Sequence, residues 1–409
     1  MKITSLTTHL IHCPIPEERR VRSGAGLKFA RQAALVEIET DEGLSGIGSC
    51  SFGSLSVDLF SVRTIVEHGF APMLIGRDPG PIARLWDEAY YGIVTRTLGH
   101  RGMGVAIWSA IDTALWDIKG KAAGLPVHAL LGGPTVDRVL TYASSIYWSE
   151  PAQAAATARA WVDEGFGAVK LKIGVDVERD MASLAAIRAE VGPKVDIMVD
   201  ANQCYTVPVA IRVGRELDRL GVLFFEEPLP IDDVDGHARL ARVIDTPLAT
   251  GENHYTRWDF LPFVQQQALG YLQPDASRSG GLTEAKRIAD LAAAHHLLAA
   301  PHTFSDAWTV ISNAHLVAAT TNAPILELDR TYNPLMTELV NEPVRPQDGC
   351  LPLPTAPGIG LTLNRDFAAD HAYNGELAMT IGARPATGVQ REELSDRAAE
   401  TLIAGATAP

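Results

Sequence analysis

Residues 167–172 read GAVKLK, a short apolar run with one lysine at its end and another two places earlier. The same design recurs downstream as VDIMVD (195–200), GVLFFE (221–226), PLATGE (247–252), GYLQPD (270–275), LLAAPH (297–302) and APILE (323–327). The closing residues Lys172, Asp200, Glu226, Glu252, Asp275, His302 and Glu327 stand 23 to 28 places apart. That interval fits one strand, a loop, a helix and a second loop. Between the runs, MASLAAIRAEVG (181–192), VPVAIRVGRELDRL (207–220) and LTEAKRIADLAAAHH (282–296) place apolar residues three and four apart, the helical period. Parallel strands need a crossover between them, so this alternation closes into a (β/α) barrel of the α/β class. In such barrels the active site lies at the C-terminal ends of the strands, where the seven ionisable residues fall.

Working outward, the chain ahead of the barrel reads differently. ARQAALVEIETDEGLSGIGSC (30–50) predicts a hairpin: a strand over Ala30–Thr40, a turn at Asp41–Gly43 and a return strand from Gly46 to Cys50. Helical spacing follows over Val62–Leu74 and Gly102–Ala123, and GLPVHALLGG (124–133) ends the block with turn formers. Residues 1–132 are therefore expected to form an α+β cap and residues 133–340 the barrel. Residues 341–409, with the Pro/Gly-rich PTAPGIGLTLN (354–364), are expected to return onto the cap and end in an Ala-rich tail from Arg384.

A net charge of −14 argues against a nucleic-acid binder, which needs a basic face. Four cysteines without CxxC pairing fit a reducing compartment. Neither a continuous apolar leader core nor a run of eighteen apolar residues occurs, so a cytoplasmic protein with no membrane partner is expected. Gly46-Ile-Gly48 is a poor dinucleotide fingerprint, because Ser51 replaces the third glycine and no crossover helix follows at once.

Asp200, Glu226 and Glu252 end three consecutive strands, so their carboxylates can converge on one hard dication; all-oxygen ligation favours Mg²⁺. A single strand-end carboxylate is more often a helix cap or ion-pair partner, but three in register are harder to dismiss. Lys170 and Lys172 bracket Leu171, so period two turns both to the barrel interior, where mutual repulsion is expected to lower a lysine pKa toward that of a base. The ordinary alternative is that both reach solvent at the rim. His302 and Asp275 end neighbouring strands, which allows the carboxylate to orient the ring. Asp329 lies two places beyond Glu327 and shares its strand face, so the residues alone leave open which of them meets a substrate. In ERRVRSGAGLKF (18–29), Arg19, Arg20, Arg22 and Lys28 suit either a lid for an acidic substrate or an ordinary basic loop. Ser144, Ser145, Tyr147 and Trp148 near the first barrel strand, and Asp306 and Trp308 after His302, are further candidates for the pocket wall.

Taken together, KLK at Lys170–Lys172, DAN at Asp200–Asn202, FEEP at Phe225–Pro228, GEN at Gly251–Asn253, DASRSGG from Asp275, and His302 resemble the mandelate racemase subgroup of the enolase superfamily. DEGLSGIG near residue 41 and AIDTALWDIKGKAAGLPVHALLGG from residue 110 extend the resemblance over nearly the whole chain. It implies a (β/α)7β-type modified TIM barrel with an α+β N-terminal capping domain completed by the C-terminal segment. It also implies one Mg²⁺ per subunit on Asp200, Glu226 and Glu252, with Glu227 outside that set. Lys172 is then a base on one face, and His302 with Asp275 the acid or base on the other. Lys170 would neutralise a substrate carboxylate, Asn202 would touch the metal site or a substrate hydroxyl, and Glu327 would hydrogen-bond the developing enediolate. Tyr147 and Arg22 are candidate substrate contacts.

The strand-six position carries Asp275 where muconate-lactonising and dipeptide-epimerising relatives have a lysine, which points to mandelate racemase-like and acid-sugar dehydratase-like chemistry. The expected activity is dehydration of a sugar acid, an aldonate or aldarate, to a 2-keto-3-deoxy acid. Racemisation or epimerisation of a 2-hydroxy acid, cycloisomerisation of a sugar-acid lactone, and a catalytically silent binding barrel are the alternatives. The expected partners are a small carboxylate substrate and further copies of the chain in a homo-oligomer.

Overall fold

The computed structural model describes residues 1–23, 26–51 and 59–379. The chain opens with β1 (Ile3–Pro14), the short pair β2 (Val21–Ser23) and β3 (Gly26–Lys28), and then β4 (Ala30–Thr40) and β5 (Ser45–Cys50). β4 and β5 form the expected hairpin, and β1 completes an antiparallel sheet in the order β1-β4-β5. β2 pairs with β3 alone, so the basic stretch at 18–29 is an antiparallel ribbon at its centre. Gly24 and Ala25, between β2 and β3, lie outside the described residues.

Six helices follow: α1 (Leu59–Ile65), α2 (Ala71–Leu74), α3 (Ile82–Tyr90), α4 (Ile93–Leu98), α5 (Met103–Ala123) and α6 (Val127–Leu130). A π-helical turn at Val66–Phe70 joins α1 to α2. α5 is buried along most of its length between the cap sheet and the barrel. The glycine pair in GIG serves this packing: a Cβ on Gly46 or Gly48 would stand 2.1 Å from the carbonyl oxygen of Ala114 or Ala110. Close helix-to-strand contact accounts for both glycines without a nucleotide.

The barrel strands are β6 (Arg138–Ile146), β7 (Ala168–Lys172), β8 (Asp196–Asp200), β9 (Phe225–Glu226), β10 (Leu248–Thr250), β11 (Tyr271–Leu272), β12 (Leu298–Ala299) and β13 (Leu326–Asp329). They run parallel in the order β12-β11-β10-β9-β8-β7-β6-β13. Successive strands are linked by α7 (Pro151–Asp163), α8 (Val177–Val191), α9 (Val207–Leu220), α10 (Val234–Ala241), α11 (Thr256–Gln265), α12 (Gly281–Ala294) and α13 (Ala307–Ala318). Seven strand–helix units and a last strand make the expected (β/α)7β arrangement. After β13 the chain adds β14 (Cys350–Pro352), antiparallel to β6.

The C-terminal segment then returns to the cap. Ile359 N–H donates to Asp117 Oδ1 of α5 (2.9 Å), Tyr373 N–H donates to the Leu10 carbonyl (2.8 Å), and Ala378 C=O accepts from Phe29 N–H (2.9 Å). The Ala-rich tail from Arg384 falls outside the described residues. Among the described residues no helix is long and apolar enough to cross a membrane.

One interior layer positions everything above it. Tyr142, Ala168, Met198, Phe224, Ala249, Tyr271, Ala300 and Ile325, one from each strand or its immediate flank, close the lower barrel with apolar side chains. Side chains repeat every second residue along a strand. The next inward positions are therefore Ser144, Lys170, Asp200, Glu226, Gly251, Gln273, His302 and Glu327.

Candidate active site

Above the apolar layer, ligand atoms of Asp200, Glu226 and Glu252 lie within 4.8 Å of one another. Glu252 is one place out of step with the strand period. Gly251, at φ +155°, makes the extra turn, and a Cβ there would stand 2.5 Å from the Gln273 carbonyl oxygen, so only glycine fits. Burial opposes charge on Asp200, but Lys172 and Lys170 outweigh it and hold this carboxyl below its usual range. Burial and the neighbouring Asp200 push Glu226 the other way, up to about 8, despite Lys170. Glu226 Oε1 is buried without a hydrogen-bond partner. Crowded carboxylates with an unsatisfied oxygen and no sulfur or nitrogen in the set fit a hard divalent cation.

Two lysines enter from β7. Lys170, fully buried, bonds Glu226 Oε2 (2.6 Å) and Glu327 Oε1 (2.8 Å), and Lys172 Nζ bonds Asp200 Oδ2. The expected lowering of a lysine pKa by mutual repulsion is not what the structure shows. Burial favours the neutral amines, but Asp200 overcomes it at Lys172, and Glu226 and Glu327 overcome it at Lys170, so both are raised. Neighbouring carboxylates outweigh the repulsion between the two amines.

His302, just past β12, stands across the barrel from β7. Its Nδ1 is 2.9 Å from Asp275 Oδ2, which leaves Nε2 facing Glu252 Oε2 at 3.2 Å. Burial disfavours the charged ring, but Glu252, the Asp275 hydrogen bond and Glu327 hold it up at about 9. Asp275 is fixed in turn by Ser277 N–H (2.8 Å), Ser277 Oγ (2.7 Å) and Asn313 Nδ2 (3.1 Å).

The structure separates Glu327 from Asp329. Glu327 accepts from Ser144 Oγ (2.5 Å) and faces Lys170, whereas Asp329 is occupied by Arg31 (2.7 Å) and Thr331 (N–H at 3.0 Å, Oγ1 at 2.7 Å). Asn202, at φ +42°, donates from its backbone to Asp200 Oδ1 (2.8 Å) and from Nδ2 to Asp200 Oδ2 (3.0 Å) and Glu252 Oε1 (3.4 Å), tying two of the three carboxylates together. Glu227 lies outside the triad and accepts from Asn253 (2.8 Å) and Gln203 (3.1 Å). Tyr147 is half-buried just beyond β6, its hydroxyl pushed up to about 12 by burial and by Asp329. The Arg22 side chain lies outside the described residues.

Asp306 and Trp308 do not line the site. Asp306 accepts from Ser49 Oγ of the cap (2.6 Å) and caps α13 through Thr309 N–H (3.2 Å), and Trp308 is wholly buried. An aspartate just ahead of a helix finds its partner in that helix's first turn. Conversely, sequence reading passed over Gln273, whose Nε2 donates to Glu226 Oε2 (2.8 Å), and Asn313 of α13. Period two from Asp275 points to Gln273. Nothing local points to Asn313.

Two family models match: the mandelate racemase / muconate lactonizing enzyme N-terminal domain over residues 14–132, and the enolase C-terminal domain-like model over residues 153–367. D-galactarolactone cycloisomerase of Agrobacterium fabrum is 35% identical over 90% of this chain and 97% of its own. Arabinonate dehydratase of Saccharolobus solfataricus is 36% identical over 87% of this chain and 95% of its own. A solved protein from Bordetella bronchiseptica RB50 superposes with a TM-score of 0.90 at 45% identity, covering 93% of this chain and 97% of that one. The chain belongs to the enolase superfamily, in its mandelate racemase subgroup.

Proposed function

We propose that the protein dehydrates a sugar acid to its 2-keto-3-deoxy acid by removing the proton alpha to the carboxylate. The observation that carries this reading is the opposition of Lys172 on β7 to the His302–Asp275 pair beyond β12, with three carboxylates between them. Asp200, Glu226 and Glu252 would hold Mg²⁺, one per subunit, which supplies positive charge for the dianion that forms when the alpha proton leaves.

Lys170 sits beside the same carboxylates and places a fixed ammonium against the substrate carboxylate, so that little reorganisation is needed as charge builds. Glu327, the second residue of β13, would hydrogen-bond the enediolate oxygen by donating from its protonated carboxyl. Asp200 and Glu252, the carboxylates that hold Lys172 and His302 protonated, would be engaged by the cation, so that whichever opposed group faces the alpha proton, Lys172 as the amine or His302 at Nε2, would accept it. His302 in its imidazolium form then donates the Nε2 proton to the departing beta-hydroxyl. Water leaves, and the resulting enol tautomerises to the 2-keto acid. Asp275 keeps the Nδ1 proton in place throughout and so fixes Nε2 as the working nitrogen.

The similarity to a cycloisomerase favours a second reading, in which the same abstraction isomerises a sugar-acid lactone. Racemisation of a 2-hydroxy acid needs only the two opposed bases. We also propose that residues 1–132, 133–340 and 341–409 act as cap, barrel and return, and that the chain works as a homo-oligomer.

A Mg²⁺-dependent screen of mono- and diacid sugars in D₂O separates these readings. Keto product, followed by semicarbazide absorbance, establishes dehydration. Exchange or inversion at the alpha carbon without keto product establishes isomerase chemistry, and the absence of exchange on every acid contradicts both.

A further inference from the structure

Lys28, at the end of β3, is 92% buried from solvent and has no carboxylate within ion-pair distance of its ammonium among the described residues. Its Nζ sits over the ring of Phe304, 4.3 Å from the centroid. The same ring has Lys172 Nζ at 6.0 Å, the Arg31 guanidinium at 5.2 Å and the His302 ring at 6.4 Å. The cap lysine and the two opposed proton-transfer groups therefore surround one aromatic side chain. They share one aromatic neighbour.

The charges around Phe304 do not balance. Asp329 and, more weakly, Glu252 are the carboxylates that act on Lys28, but Arg31 holds Asp329 Oδ2 (2.7 Å) and Thr331 holds its Oδ1. Among the described residues that leaves the Lys28 ammonium with the face of an aromatic ring, which compensates a buried ammonium in part. An uncompensated buried cation is costly, and a lysine normally takes its charge to solvent along its flexible stem. Burial, Arg31 and Lys172 all work against the charged form, and Asp329 and Glu252 do not offset them. An anion arriving with the substrate would supply the missing partner.

We propose that Lys28 binds a second carboxylate at the far end of the substrate, which makes the preferred substrate a sugar diacid, or a lactone that keeps one free carboxylate, in place of a monoacid. The assignment rests on the sugar-acid reading above, which places the first carboxylate at Lys170 and the metal triad. The Phe304 ring spaces the two ends: Lys172 and His302 work on the carbon next to the first carboxylate, and Lys28 holds the last. Lys28 comes from the cap and the other groups in this scheme from the barrel.

The test compares kcat and KM of the wild-type, Lys28→Gln and Lys28→Arg proteins on a diacid sugar and its configuration-matched monoacid, with thermal melting to separate a binding loss from a folding loss. Wild type is expected to prefer the diacid. Lys28→Gln is expected to lower the diacid-to-monoacid ratio of kcat/KM at least tenfold, chiefly through KM, and Lys28→Arg to recover part of it. Calorimetric titration with glutarate and butyrate provides a readout independent of turnover: wild type should favour glutarate, and Lys28→Gln should lose that preference. A wild-type preference for monoacids, or a ratio insensitive to Lys28→Gln, overturns the assignment while leaving the sugar-acid reading intact. Failure of every acid to exchange its alpha proton overturns both.

Discussion

His302 Nδ1 lies 2.9 Å from Asp275 Oδ2, and Asp275 itself is held by Ser277 and by Asn313 from α13. A ring fixed at one nitrogen presents the other, Nε2, in a single tautomer and direction. Asp275→Asn keeps the size of the partner and removes its charge. It is expected to lower kcat by about 10²–10⁴-fold, with the basic limb of the kcat profile displaced toward lower pH, because the carboxylate helps hold His302 at about 9. Steady-state rates across pH check both effects.

Asn313 makes this arrangement rigid without facing the pocket. Its Oδ1 accepts from Ala276 N–H (3.0 Å), and its Nδ2 donates to Asp275 Oδ1 (3.1 Å) and to the His302 carbonyl (3.3 Å). Asn313→Ala is expected to cost about 1–3 kcal/mol of stability by leaving buried groups unpaired. It should also lower kcat roughly 10–100-fold, as loss of an outer hydrogen-bonding partner does. Denaturant melts and rates on the same samples measure the two separately.

Cation binding should depend on pH through Glu226. Burial and Asp200 raise this carboxyl to about 8, so near neutrality it carries a proton that a dication must displace. Affinity for Mg²⁺ is therefore expected to strengthen as pH rises toward that value and to level off above it. Melting temperature against Mg²⁺ concentration at several pH values reports the slope. Glu226→Gln should weaken binding and flatten the dependence, and chelation should abolish alpha-proton exchange.

Acid stability has a separate origin at the cap. Glu37 is held down at about 2 by its hydrogen bond from His9, with burial opposing and Arg365 assisting. Its folded-state pKa is depressed, so its contribution is complete above the ordinary value near 4.5 and is lost as pH falls through about 2. Glu37→Gln is expected to cost roughly 1–3 kcal/mol at neutral pH and to reduce the acid sensitivity of melting over that window. Calorimetric scans of both proteins between pH 2 and pH 7 follow the difference.

The barrel was legible because its chemistry is periodic. From Lys172 to Glu327 the strand ends recur at one spacing, and period two lifts Lys170, Asp200, Glu226, His302 and Glu327 one step above the apolar layer of Ala168, Met198, Phe224, Ala300 and Ile325. The strands themselves are shorter than the apolar runs: GVLFFE supplies only Phe225–Glu226 to β9, because much of each run packs before the ladder begins. β1 was not read, since ITSLTTHLIHCP mixes polar and apolar residues and pairs with β4 across the intervening β2–β3 ribbon. Asn313 makes contacts that only tertiary placement creates, and the place of Lys28 over Phe304 is what separates it from its basic neighbours Arg19 and Arg20 in the sequence. The lysine pKa expectation failed for a similar reason, because spacing showed two neighbouring amines but not the carboxylates enclosing them.

The central claim is that Lys172 and His302 serve opposite faces of one alpha carbon. The most direct test is stereospecific alpha-proton exchange in D₂O, followed by NMR, for Lys172→Ala and His302→Ala on a turned-over acid or its unreactive epimer. Each variant is expected to lose exchange on its own face by about 10²–10⁴-fold while the other face continues to exchange. Wild-type exchange on both faces in either variant, or loss of the same face in both, would contradict the claim.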